Sequence, residues 1–302
     1  MSHEIDMKKY NIRTDLAIDV VNNGFKKRIT HDSGLVVSTI NLDNASGKKI
    51  GKKEGIYITI EFGDVTDTSN LENVTKIFAK ELSRLLKSIG ITKNMSGLVI
   101  GLGNKNSTPD ALGPLTIKDI LVTRHLLILS EMEKGFRNIS ALSPGVMGET
   151  GIESIDIVLS LTKKIKPDFV IVVDALASSS IKRVNKTIQM TNTGIQPGSG
   201  IGNSRKEISK KTLGIPVISI GVPTVVSAFT IVKDTLDYLI NSIEKPKLRN
   251  SIKKIADEMG NVMITTDEYN FIVTPKEEDY LIKRLSEILS LGINKSLHDK
   301  VQ

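Results

Sequence analysis

The 302-residue chain contains no cysteine, which removes disulfides, thiolate metal sites and a thiol nucleophile together and suits a reducing compartment. Aromatic residues make up only 4%, too few to interleave with the basic clusters as a base-stacking surface does, so no nucleic-acid partner is expected. No run of about eighteen apolar residues occurs, and the opening "MSHEIDMKKYNIRTDLAIDV" has mixed charge and no apolar core. A membrane span and a secretory leader are therefore not expected, and the chain reads as soluble and cytoplasmic. No serine stands in a G-x-S-x-G elbow, and Ser178, Ser179 and Ser180 have no base nearby in the sequence, which argues against a serine hydrolase. Histidine is scarce: His3, His31 and His298 lie in polar terminal or loop sequence without metal-ligand spacing, and His125 in "VTRHLLIL" reads as packed or interfacial.

What is present is an ordinary globular composition, 39% hydrophobic and 25% charged, with no low-complexity run. The net charge of +7 comes from 41 Lys and Arg against 34 Asp and Glu. The excess is scattered in "GFKKR", "GKKIGKKEG" and "SRKEISKK". Such clusters read as solvated surface, with steering of an acidic substrate as the alternative.

The β-rich stretches 35–43 and 56–62 predict a hairpin, and the apolar spacing over 71–90 predicts an amphipathic helix. Strand, loop and helix then repeat. "GLVIGLG" (97–103) is a strand followed by a helix opened by Gly113-Pro114 and running to about Leu129. A short strand and long loop (139–151) precede a helix near 152–165. "DFVIVVDALA" (168–177), 186–192 and 215–223 predict further strands, and 224–243 a helix. Buried strands alternating with helices define an α/β fold with a mostly parallel sheet covered on both faces. Residues 245–302 read as peripheral helices.

In such sheets the ligand crevice lies beyond the carboxyl ends of the strands. Asp110, in the loop after "GLVIGLG", and Asp174, at the end of "FVIVVD", both fall there. Two carboxylates in one crevice push their pKa values apart, which makes an acid and a base for hydrolysis. The plainer alternative for Asp110 is a helix cap or turn residue. A carboxylate closing the six-residue stretch 169–174 after five apolar residues, as Asp174 does, demands a partner or the strand mouth. The glycines of "PGSGIGN" (197–203) leave a nucleotide- or phosphate-binding module as a rival, although they do not fit G-x-G-x-x-G.

The phrases "LVIGLGNKNSTPDALGP", "LVTRH", "SPGVMGETGIE", "KPDFVIVVDALAS", "RVNKTIQMTNTGIQPGSGIGN" and "LGIPVISIGVPTVV" together closely resemble the germination proteases of spore-forming bacteria. The resemblance covers most of residues 5–243 in order and at matching spacing. It implies a homotetrameric endopeptidase of the spore core or forespore that degrades small acid-soluble spore proteins, with a fold similar to the hydrogenase-maturation peptidases. It implies that Asp110 and Asp174 are the catalytic pair. It also implies a zymogen that removes residues 1–15 by cutting between Asp15 and Leu16, since an acidic residue, a hydrophobic residue and then alanine mark the family's cleavage sites. Residues 16–302 then form one peptidase domain. No cofactor is expected. A metal stays open as the alternative, because the corresponding carboxylates of the maturation peptidases contact one. Oxyanion donors are sought in the glycine loops, at Gly103, Asn104, Gly145, Gly148, Gly198 and Gly200. Lys182, Arg183, Arg205 and Lys206 are sought as selectors of the acidic residue before the cut.

Overall fold

A computed structural model describes residues 14–21, 25–129, 133–198, 205–265 and 271–301. The chain opens with the strands β1 (Lys27–Asp32), β2 (Leu35–Leu42) and β3 (Gly55–Glu61), with helix α1 (Asn44–Ile50) between the last two. A long helix α2 (Thr68–Ser88) leads to β4 (Gly97–Gly101), the helices α3 (Leu112–Lys118) and α4 (Arg124–Ile128), and β5 (Ile139–Leu142). The turn α5 (Met147–Thr150) precedes α6 (Ser154–Ile165), then come β6 (Phe169–Ser178), β7 (Thr187–Thr191), α7 (Lys210–Leu213) and β8 (Val217–Ser227). The chain closes with α8 (Ala228–Ser242), α9 (Pro246–Thr265), β9 (Ile272–Val273) and α10 (Glu278–Leu297).

These strands form one mixed sheet in the order β1-β2-β3-β7-β8-β6-β4-β5, with β9 on β8. The expected α/β architecture is present, but the sheet is divided by direction. From β8 through β6 and β4 to β5 every pairing is parallel, whereas β1, β2, β3, β7 and β8 pair antiparallel. β7 accounts for the difference: only a 3-10 turn, Ile181–Arg183, separates it from β6. A parallel neighbour needs a crossover of a dozen or more residues.

β6 is central, and its side chains alternate between two cores. Phe169, Ile171 and Val173 join the cluster that includes α2 and α10, whereas Val170 and Val172 join the cluster around α6. Helices therefore cover both faces, as buried parallel strands require. α2 starts at Asp67, whose carboxylate caps the amide of Ser69. It buries Leu71, Val74, Phe78, Leu82 and Leu85 along one stripe.

Three local expectations are corrected. The connection between β2 and β3 contains α1, because Asp43 caps the amide of Ser46 and starts a helix. The predicted helix from Gly113 to Leu129 is two pieces. Between them, Asn294 of α10 accepts from the amide of Leu121 at 2.9 Å and donates to the carbonyl of Asp119 at 2.8 Å, replacing the helical bonds lost at the break. Finally, α10 is not peripheral. Ile282, Leu285, Ile288, Leu289 and Ile293 are all buried in the α2 core, and a 3.6-residue stripe of that kind packs wherever a matching face exists.

Gly292 lets the two helices approach: a β-carbon there would fall 2.2 Å from Cδ1 of Phe78. Gly292→Ala is expected to lower the free energy of unfolding by about 1–3 kcal/mol, as overpacking does. Urea denaturation measures this, and a loss well below ~1 kcal/mol would mean that α10 is loosely docked.

Candidate active site

The loop 101–113 leaves β4 at the carboxyl edge of the parallel half and returns as α3. Its shape is fixed at Gly103, whose φ of +114° suits glycine alone and whose added β-carbon would lie 1.9 Å from the carbonyl oxygen of Asp110. A 3-10 turn, Thr108–Asp110, follows. Thr224 of β8 donates to the carbonyl of Pro109 at 2.7 Å, and Thr108 donates to Asp279 of α10 at 2.8 Å. Asp110 is thus held from the sheet and from the C-terminal helix. Its Oδ2 accepts the amide of Asn104 at 2.8 Å, so Asn104, sought as an oxyanion donor, directs its N–H at the carboxylate. Asp110 does not cap a long helix: α3 is seven residues and has no side-chain cap.

Asp174 sits on β6 on the same face as Val170 and Val172 and is 5% exposed. Burial pushes its pKa well above the ordinary carboxylate range, and the charges of Asp110 and then Asp15 push it further. The Ala175 amide and Arg205 oppose the shift. Asp110 is raised less, chiefly by burial, with the Asn104 amide and Arg205 pulling it down. The charge of Asp110 thus bears on Asp174, the more deeply buried of the two, which favours its protonated form.

A third acid, Asp15, belongs to the same group. Residues 14–21 run along the end of β6, where the pairing of β6 with β8 shifts register between Leu176 and Ala177. Such bulges re-aim backbone groups beside sites. The amide of Asp15 donates to the carbonyl of Ala177 at 3.0 Å, and the amide of Ala177 donates to Oδ2 of Asp15 at 2.9 Å. Leu16 is fully buried with Ile18, Leu176 and Ile195, and Ala17 is fully buried beside Ile40, Leu42 and Tyr57.

The segment is pinned at Asp19, whose side chain is 1% exposed. Its carboxylate accepts from Thr14 at 2.6 Å, Ser178 at 3.0 Å, the Ser179 amide at 2.8 Å and Arg183 at 3.0 Å. Arg183 also approaches Glu61 at 3.3 Å, so it serves Asp19 and not Asp15. Lys206 pairs with Asp156 at 3.7 Å on the surface, Lys182 is exposed, and only Arg205 exerts its charge on Asp110 and Asp174.

Gly145 and Gly148 flank the start of α5, whose Glu149 accepts from Asn106 at 2.8 Å. Gly198 takes φ +72° at the end of the described part of its loop, and Gly200 lies outside the described residues. His125 is exposed on α4, not packed. His298 is buried, with Nδ1 accepting the Arg137 amide at 3.1 Å and the ring against Phe136, a packing role. Among the described residues no group of three or more His, Cys, Asp or Glu is placed to hold a metal ion.

Asp174, buried on β6, and Asp110, half-buried in the loop after β4, stand at the carboxyl edge of an α/β sheet, where such folds bind their ligands. The family comparison makes the assignment specific, because the model of the germination proteases matches residues 2–260. The chain belongs to the germination protease family. It is 40% identical to the germination protease of Bacillus thuringiensis subsp. konkukian (strain 97-27) and 41% identical to that of Bacillus cereus (strain ATCC 10987 / NRS 248), covering 100% of this chain and 97% of each relative. It is accordingly a protease that acts in spore germination. Among solved structures, a [NiFe] hydrogenase maturation protease HycI from Thermococcus kodakarensis KOD1 aligns over 60% of this chain and 97% of its own, at 13% identity and a TM-score of 0.32. No helix among the described residues is long and apolar enough to cross a membrane.

Proposed function

We propose that this protease is an endopeptidase whose catalytic pair is Asp110 and Asp174, that it is made as a zymogen cutting itself between Asp15 and Leu16, and that its protein substrates are small acid-soluble spore proteins. The observation that carries this reading is that the charge of Asp15 bears on Asp174 and that Asp15 is bound to Ala177 of the same strand, its amide donating to the Ala177 carbonyl and its carboxylate accepting the Ala177 amide. The buried surroundings of Leu16 and Ala17 support a preference for a hydrophobic residue and then alanine after the cut, since a side chain larger than Ala17 would overpack its site. The Ala177 amide on the Asp15 carboxylate supports a preference for an acidic residue before it.

In this mechanism Asp110 is the base and Asp174 the acid. Water attacks the carbonyl carbon of Asp15 and gives a proton to Asp110. The C–N bond breaks as Asp174 passes its proton to the nitrogen of Leu16. A carboxylic acid on Asp15 and an amine on Leu16 result, the acid's proton passes to the amine to leave a carboxylate and an ammonium, and the dyad then redistributes its one proton. Assembly as a homotetramer belongs to the same proposal, and the exposed Leu121, Val122 and Leu129 support an interface there. Sedimentation at four times the 33.0 kDa chain mass checks it.

The test is to incubate the intact chain, Asp110→Asn and Asp174→Asn with a small acid-soluble spore protein and to sequence the new N-termini. The intact chain is expected to cut after Glu or Asp, and both variants to lose at least about 100-fold in rate. Cleavage is expected to survive a strong chelator, and activity that vanishes with chelation and returns with one metal would overturn the metal-free mechanism.

A further inference from the structure

The carbonyl oxygen of Asp15 has two side-chain donors among the described residues, and neither comes from a glycine loop. Nζ of Lys52 donates to it at 3.0 Å and to the carbonyl of Thr14 at 2.8 Å. Nε2 of Gln189 donates to it at 3.2 Å, while Oε1 of the same side chain accepts the amide of Ala17 at 2.6 Å. We infer that Lys52 and Gln189 form the oxyanion site of this protease, the ammonium and the amide together stabilising the charge that develops on the carbonyl before the scissile bond. The inference rests on the reading of Asp15–Leu16 as the bond that is cut.

The local architecture is built to aim Lys52. α1 ends at Gly51 in the left-handed conformation, φ +68°, and the amide of Lys52 turns back onto the carbonyl of Gly47 at 2.9 Å. That cap reverses the chain within the cluster "GKKIGKKEG" and turns one lysine inward. Its neighbour Lys53 pairs instead with Glu207, and Lys48 and Lys49 are at the surface. Burial lowers the pKa of Lys52, whereas the charges of Asp15 and Asp19 oppose that loss.

A desolvated ammonium directed at two neutral carbonyls gains little in a resting fold relative to what it loses in hydration. It gains much once one of those oxygens carries charge, because the interaction grows in a low-dielectric site and the donor is already oriented. Gln189, buried on β7, sets the register of the segment by holding the carbonyl of Asp15 and the amide of Ala17 at once. Lys52 and Gln189 transfer no proton in this account. They donate hydrogen bonds while water and the two aspartates carry out the proton transfers.

The absence of cysteine makes the test clean. Lys52→Cys is the only thiol in the chain, and alkylation with 2-bromoethylamine restores an ammonium of nearly the same reach. Two rates are followed in the full chain: release of residues 1–15 by intact mass, and steady-state cleavage of a peptide copying residues 11–20. Lys52→Cys is expected to lower both the release rate and kcat by about 100-fold or more with KM changed less than about threefold, and alkylation to recover at least about tenfold. Gln189→Leu is expected to lower kcat by about tenfold and to raise KM as well, since it also holds Ala17. Lys52→Arg, which keeps the charge, is expected to remain within about tenfold of the parent chain, a rescue that a purely packing role does not give. Lys52→Cys cutting within threefold of the parent, or fully alkylated folded protein showing no recovery, would overturn the inference alone. A parent chain that never exposes Leu16 as an N-terminus takes down the proposed cleavage and the inference with it.

Discussion

Replacing Asp174 with asparagine is expected to slow peptide-bond cleavage by about 10²–10⁴-fold and, at neutral pH, to raise the free energy of unfolding. The two effects have one origin. Asp174 is buried at the strand mouth with Asp110 and Asp15 near it, and its pKa is raised first by burial and then by those charges. In the unfolded chain an aspartate releases its proton near pH ~4. From there up to the raised folded value the native state holds a proton that the unfolded chain has lost, so stability falls as pH rises through that window and the penalty persists above it. Asparagine has the shape of the acid and no charge to bury, so the penalty disappears. Urea denaturation at pH 4 and pH 7 checks this: the variant should gain on the parent chain at pH 7 and lose that advantage near pH 4. An Asp174→Asn chain that is less stable at both pH values would show a structural carboxylate, and equal cleavage rates would remove it from the chemistry.

Asp19→Ala is expected to release the N-terminal segment and slow removal of residues 1–15 by about 100-fold. Four donors converge on this carboxylate, one of them Arg183. Breaking a buried charged pair by deleting one partner costs about 3–5 kcal/mol. Arg183 keeps Glu61, so the lower end of that range applies. About 3 kcal/mol removed from docking alone lowers the docking equilibrium constant by about two powers of ten. Hydrogen exchange reads the docking directly, because the amides of Asp15, Ala17, Val20 and Val21 are all bonded in this arrangement. Unchanged protection of those four amides would mean that Asp19 is not the anchor.

Much of the site was legible in the sequence because its two aspartates sit where regular elements end. "FVIVVD" announces a buried strand with a carboxylate at its mouth, and "GLGNKNSTPDALGP" a loop leaving a neighbouring strand, and the carboxyl-edge rule joins them. The groups that hold the peptide were not legible in that way. Gln189 lies in β7, whose antiparallel direction follows from a short connection, so strand pattern alone could not put it beside residues 15–17. Lys52 was hidden in a basic cluster. The signal that existed was the pair Gly47 and Gly51, a helix cap that turns one lysine away from its neighbours. Asp19 carried no signal, and Arg183 read as a selector of the acidic residue before the cut, because an ion pair between residues 164 positions apart leaves no periodic trace.

The C-terminal region shows the same limit from the other side. α10 carries a clear helical stripe, yet its sequence gave no reason to choose the core over the periphery. Its partner face is on α2, some two hundred residues earlier, and the choice was made by Phe78 fitting over Gly292 and by Asn294 bridging the break after α3. Helix existence is local, whereas helix placement depends on a surface elsewhere in the chain.

The central claim is that Asp110 and Asp174 cut the bond that follows Asp15. Intact-mass measurement of the freshly made chain over time tests it most directly, alongside Asp110→Asn and Asp174→Asn. The parent chain is expected to lose residues 1–15 and to begin at Leu16, while both variants stay full length under the same conditions. Loss of the same fifteen residues from Asp174→Asn at the parent rate would contradict it.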